Sequence, residues 1–107
     1  MVNEVEFTDF ARNKLKLIYK YYSENVSENV AKKLIDNIIK STDKLLNFPE
    51  SGQLELFKFK TVKEFRSVKY KNYKLFYSYQ LNKIVVFNIF DMRQNPKILE
   101  REMKNLK

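Results

Sequence analysis

The sequence predicts an α+β domain of order β-α-α-β-β-β-α, with a fourth strand expected before the final meander. A helical hairpin should cover one face of a small, mostly antiparallel sheet. Three observations carry this. Apolar residues recur at helical spacing from Ala11 to Leu46. The period changes to two beyond Gly52. Pro49 and Gly52 mark the change.

The elements follow in order. Val2 to Phe7 alternates apolar and polar side chains, as a short strand does. Thr8 or Asp9 can cap a helix whose buried stripe is Ala11, Leu15, Ile18 and Tyr22. Ser23-Glu24-Asn25 breaks that stripe. Ser27 can cap a second helix, with Ala31, Ile35, Ile38, Thr42 and Leu45 on one face and Val30, Leu34 and Leu46 widening it. The short break predicts a helical hairpin, which ends at Asn47-Phe48-Pro49-Glu50-Ser51-Gly52, where Gly52 permits a turn. An edge strand is expected near Leu54–Phe59. Glu64–Tyr70, Tyr73–Gln80 and Lys83–Phe90 are rich in aromatic and β-branched residues, the composition of strands. Lys71-Asn72 and Asn82-Lys83 suit tight hairpins in which Asn takes positive φ. Asn95 caps and Pro96 opens a last helix with Leu99, Met103 and Leu106 on one face. That face is either the edge of the core or a contact for a partner chain.

There is no linker, repeat or low-complexity segment, so residues 1–107 read as one domain. The chain lacks Cys, His and Trp and has a single Gly. That excludes disulfide frameworks, thiol nucleophiles, Ser-His-Asp triads and glycine-rich phosphate cradles. No metal site or cofactor is expected. No apolar run is long enough for a membrane span, and no secretory leader is evident, so a cytoplasmic protein is expected.

The net charge of +8 lies wholly in the second half. Residues 1–53 carry 8 basic and 8 acidic residues; residues 54–107 carry 13 and 5. Between Phe57 and Lys74, seven cations face Glu64 alone. This suggests a polyanionic partner or an acidic protein surface; the plain alternative is lysines solvating strand edges. Arg66, Lys69, Lys71 and Lys63 are therefore candidate contacts for a target or partner. On the Tyr73–Gln80 strand, Tyr73, Leu75, Tyr77 and Tyr79 share one face, read as core. Lys74, Phe76, Ser78 and Gln80 share the other, read as open around Lys74. Arg93 stands at a strand end, where functional groups often lie. Lys74, Arg66 and Arg93 converging on an open sheet face could hold phosphates. Alternatively, Arg66 and Arg93 simply pair with Glu64 and Asp91.

These residues make the chain recognisable. It resembles the RelE/ParE superfamily of toxins from type II toxin–antitoxin modules, often called plasmid stabilisation proteins. The resemblance rests on four segments in order, spanning nearly the whole chain: Leu46 to Gly52, Phe65-Arg66-Ser67-Val68, Asn72-Tyr73-Lys74-Leu75-Phe76-Tyr77 and Val85 to Arg93. It implies growth inhibition through one of two activities, and leaves enzyme status open between them. RelE-like toxins are mRNA interferases that cleave mRNA on the ribosome with basic residues of the open sheet face. Lys74 and Arg93 match two of those positions, but Leu99 stands near the place of a C-terminal catalytic Tyr. ParE-like toxins keep the fold, lack the nuclease set and poison DNA gyrase. The helical hairpin with its Phe-Pro-x-x-Gly exit looks more like this branch. Either branch implies a cognate antitoxin that wraps the toxin in a hetero-oligomer, through an amphipathic segment set against the basic half. A non-toxic basic nucleic-acid-binding module is the remaining alternative.

Overall fold

The computed structural model describes residues 4–55 and 65–105. The elements are β1 (Val5–Phe7), α1 (Asp9–Asn25), α2 (Glu28–Lys40), a 3₁₀ turn (Asp43–Leu46), β2 (Gln53–Glu55), β3 (Phe65–Tyr70), β4 (Tyr73–Gln80), β5 (Lys83–Asp91) and α3 (Pro96–Lys104). Val2, Leu56 to Phe59 and Glu64, counted among the expected strands, lie outside the described residues, as do Lys63 and Leu106.

The helix starts are those the sequence marks. Thr8 accepts from the Ala11 N–H at 3.2 Å and Ser27 from the Val30 N–H at 3.1 Å. The Asn95 side chain caps Lys97 N–H at 2.9 Å, with Pro96 in the first turn. The expected break at Ser23-Glu24-Asn25 is absent: α1 runs through Asn25 and the chain turns at Val26-Ser27. The second helix is shorter than its stripe suggests. It stops at Lys40, and buried Thr42 turns its hydroxyl back to Ile39 O at 2.7 Å before the 3₁₀ turn.

The sheet order is β1-β5-β4-β3-β2, with β1 parallel to β5 and the other pairs antiparallel. The α1–α2 hairpin packs on one face. Its core joins Ala11, Leu15, Ile38 and Leu45 to Val68, Tyr73, Leu75, Tyr77, Ile84, Val86 and Ile89. The opposite face is not open around Lys74. Phe76, Phe87 and Phe90 form a second core there, closed by Met103 with Ile98 and Leu99 of α3. The α3 face read as core edge or partner contact is therefore core for Leu99 and Met103.

A bulge makes this second core. Phe76 pairs with Asn88 and Tyr77 with Val86, so Phe87 is an extra residue in β5. Phe87, Asn88 and Phe90 serve the α3 face; Val86 and Ile89 serve the hairpin face.

Two turns differ from expectation. The β4–β5 turn is Leu81-Asn82, not Asn82-Lys83, and both residues take positive φ (54° and 60°). In the β3–β4 turn Lys71, not Asn72, takes positive φ (52°). Asn72 instead gives its side chain to Asp91. Gly52 has no positive φ; it is needed for close approach, because a Cβ there would meet the Tyr77 ring at 2.6 Å and Ser67 O at 2.8 Å. Among the described residues no helix is long and apolar enough to cross a membrane.

Candidate functional site

The sheet register decides which candidate side chains meet. Arg66 lies opposite Tyr77, on the hairpin face, and donates to Glu50 O and Gly52 O at 3.1 Å each. It clamps the loop that carries the chain from the 3₁₀ turn to β2. Tyr77 pins the same loop: its hydroxyl donates to Pro49 O at 2.8 Å and accepts from Gly52 N–H at 3.0 Å.

Lys74 lies on the other face, opposite Lys69 and Phe90. Its Nζ is 2.7 Å from Glu55 Oε2, which also accepts from Ser67 Oγ at 2.6 Å. Glu55 thus offsets two lysines placed directly across a strand pair, an arrangement that would otherwise repel. Lys69 is exposed. Lys71 is exposed at the turn, with Nζ 5.7 Å from the Tyr70 ring centre.

Arg93 belongs to a third place. Asp91 ends β5 opposite Tyr73, and the chain turns through Gln94 N–H to Asp91 O at 3.0 Å. That turn folds the Arg93 guanidinium back onto the Asp91 carboxylate: Nε to Oδ1 at 3.0 Å and Nη2 to Oδ2 at 2.8 Å, a bidentate fork. Asp91 Oδ1 also accepts from Arg93 N–H at 2.9 Å and Asn72 Nδ2 at 3.0 Å. The guanidinium, helped by these donors, holds the Asp91 carboxyl at about 2 and raises the Arg93 pKa in turn. The expected convergence of Lys74, Arg66 and Arg93 therefore does not occur. Arg66 and Lys74 sit on opposite faces, and Arg93 sits at the end of β5.

Around Arg93 the molecule is concave. A groove of about 850 Å³ runs between the C-terminal half of α1, the end of β5 and the start of α3. Leu17, Ile18, Tyr22, Tyr73, Arg93 and Ile98 line it. Tyr22 is the unexpected member. The Tyr73 hydroxyl and then the Arg93 guanidinium act on its phenol and lower its pKa. Tyr73 is buried beneath it, and that burial, then the Tyr22 hydroxyl, raises its own pKa. Tyr73 therefore keeps its proton while Tyr22 is the more readily ionised of the two. Helical spacing puts Tyr22 on the buried stripe of α1; only its place near the helix end marks it as a residue at the margin of the core.

Lys14 is the second residue that sequence reasoning missed. β1 pairs with β5 only through Val86, so the rest of that β5 edge is free. Lys14 reaches across it from α1. Its Nζ donates to Ile89 O at 3.3 Å, to Asn88 Oδ1 at 3.2 Å and to Glu102 Oε1 of α3 at 2.9 Å. It ties the hairpin layer to the α3 layer beside the groove.

A family model and one solved structure with a TM-score above 0.5 agree with this architecture. A family model described as the ParE toxin of the type II toxin–antitoxin system parDE matches residues 5–96. Among solved structures, a chain of the chromosomal ParDE system from P. aeruginosa superposes with a TM-score of 0.67 at 16% identity, covering 82% of this chain and 94% of its own. The isolated E. coli RelE toxin gives a TM-score of 0.49 at 14% identity, covering 95% of this chain and 97% of its own. No curated protein matches the sequence.

Proposed function

Because the chain belongs to the ParE toxin family of type II toxin–antitoxin systems, we propose that it arrests growth in the cytoplasm by binding and inhibiting DNA gyrase. A cognate antitoxin neutralises it. One observation carries the choice of branch. Lys74 and Arg93, the two cations that a RelE-like nuclease would bring to one phosphate, are directed to different places, and each is bound to a carboxylate. Inhibition by protein contact asks no such convergence of them. The antitoxin is read as a protein whose amphipathic segment buries apolar surface of the toxin and sets acidic groups against exposed cations such as Lys69 and Lys71.

The test is supercoiling by gyrase with the purified chain, alone and with the antitoxin. Inhibition relieved by the antitoxin is expected. An unaffected gyrase together with cut mRNA on programmed ribosomes would reverse the choice. The RelE-like reading keeps one specific support: Tyr22 beside Arg93 supplies the phenol that the C-terminal segment lacks. On that reading Tyr22→Phe and Arg93→Ala both abolish the cut.

A further inference from the structure

The exposed rows of charge on the three helices differ in their pattern of sign. On α1 the row contains Lys20 and Glu24, and on α2 it contains Lys32, Asp36 and Lys40, so cation and carboxylate alternate one turn apart. Such rows neutralise themselves and read as solvated faces. On α3 the row is Lys97, Arg101 and Lys104, at i, i+4 and i+7, and all three are exposed. None of the three forms an ion pair among the described residues. Glu100 is the one exposed acid of this helix, because Glu102 is taken by Lys14.

Lys97 carries the argument. Arg101 and Lys104 lie in the last turn, where a cation suits the helix dipole, so the helix alone accounts for them. Lys97 lies in the first turn, where the dipole favours an acid, and that turn contains none. Folding gains nothing from a cation there, whereas the row gains its third member.

The composition of this side narrows the partner. Leu99 and Met103, on the opposite side of α3, enter the second core. The row's exposed neighbours are Gln94, Glu100 and Asn105. Among the described residues the exposed aromatic side chains are Phe10, Tyr19, Tyr21 and Phe48, which belong to α1 and the loop before β2. A protein interface has an apolar centre, and binding of unpaired bases uses aromatic stacking. A duplex backbone asks for neither, since Lys and Arg among polar side chains are what hold phosphates. The row is about 10 Å long at the rise of a helix, enough to meet successive phosphates of one strand. Lys69, exposed on the same face of the sheet, adds to the positive field.

We infer that the outer face of α3 is a contact for the phosphate backbone of duplex DNA, made by Lys97, Arg101 and Lys104. This rests on the gyrase reading above only for the source of the duplex: an inhibitor of a supercoiling enzyme meets the DNA which that enzyme holds. The contact reads no sequence and aligns no phosphate for chemistry.

The test is fluorescence anisotropy of a short labelled DNA duplex with the purified full chain, over a range of salt. Wild type is compared with Lys97→Gln/Arg101→Gln/Lys104→Gln and with Lys20→Gln/Lys32→Gln/Lys40→Gln, which removes the same charge from the hairpin. The α3 variant should bind about 10–100-fold more weakly, and its log affinity should fall less steeply with log salt, by about 2–3 in slope. The hairpin variant should stay within about threefold of wild type. Lys97→Glu alone should weaken binding by about fivefold or more and melt no lower than wild type, because the dipole favours it. The inference is overturned if wild type does not bind the duplex at low salt, if both triple variants lose equally, or if single-stranded DNA or an RNA duplex binds more tightly than the DNA duplex. It is overturned in favour of an acidic protein partner if the α3 variant keeps its DNA affinity and loses antitoxin capture. Gyrase supercoiling is read in parallel. If wild type leaves gyrase untouched while the α3 variant loses DNA, the gyrase reading fails and the contact stands. If gyrase is inhibited and no duplex is bound, the contact fails and the gyrase reading stands.

Discussion

Gly52→Ala is the substitution whose cost the structure defines most closely. The new methyl group would sit 2.6 Å from the Tyr77 ring and 2.8 Å from Ser67 O. Ser67 belongs to the centre of β3 and cannot retreat without breaking its pairing with Gln53 and Phe76. Tyr77 must therefore move, and its side chain is fully buried. Overpacking of this kind costs about 1–3 kcal/mol. The Tyr77 hydroxyl also loses the Pro49 O and Gly52 N–H bonds, each a contribution of about 1 kcal/mol. Together the loss is about 3–5 kcal/mol, which lowers the melting midpoint by roughly 12–40 °C. Urea unfolding of Gly52→Ala, Tyr77→Phe and the double variant measures it. Removing the hydroxyl takes away the group nearest the methyl, so the double variant should lose about 1 kcal/mol less than the two single losses combined. A cost below about 1 kcal/mol for Gly52→Ala, or strict additivity, would refute the close-approach account and leave Gly52 as an ordinary turn residue.

Three further outcomes are expected. The Asp91 carboxyl is held at about 2, below its unfolded value, so the unfolded chain binds more protons between roughly pH 4 and 2. Stability from this group is complete above pH 4 and lost as pH falls through about 2. After allowance for solvent at exposed Arg93 the loss is about 1 kcal/mol, and acid titration of Asp91→Asn, which lacks it, should show a correspondingly flatter profile. Lys14→Ala strands half-buried Glu102 and frees Ile89 O, costing about 2 kcal/mol; hydrogen exchange should speed first in α3. Asn72→Ala removes one of the donors that orient Asp91, costing about 1 kcal/mol. The chemical shift of the Arg93 Nε proton should move with it, and a shift unchanged from wild type would mean that the fork holds itself.

Helices and strands were legible wherever one period ran undisturbed. Thr8, Ser27 and Asn95 announce their helices because each offers an oxygen to free N–H groups one turn on. The second core was not legible. Strict alternation along β5 assigns Phe87 and Ile89 to one face and Asn88 and Phe90 to the other. The bulge moves Phe87 across, and with it the number of aromatics facing α3. Lys74 was placed on the correct side of β4, but openness was inferred from its charge. A lysine beside Phe76 is equally at home under a helix edge when a carboxylate reaches it, and Glu55 is far from it in sequence. Arg93's partner was visible two residues away, whereas Tyr22 comes from 71 residues earlier and follows from the tertiary path of α1 alone.

The same partners change what the charge of +8 means. A count treats every cation as available to a polyanion. In the fold, Lys14, Lys74, Lys83 and Arg93 each meet a carboxylate within 3.2 Å, and Arg66 is bound to loop carbonyls. To grip a phosphate, Lys74 must give up Glu55, and both are largely shielded from water. Leaving Glu55 there without its partner costs more than an exposed phosphate contact returns. Among the described residues, the cations with most freedom to meet an anion are then exposed ones such as Lys69 and Lys71, for which no carboxylate fork is seen. That is a surface suited to attracting an acidic protein segment and poorly suited to aligning a phosphate for in-line attack. It is why charge that first suggested nucleic acid is compatible with the proposed action through protein contacts.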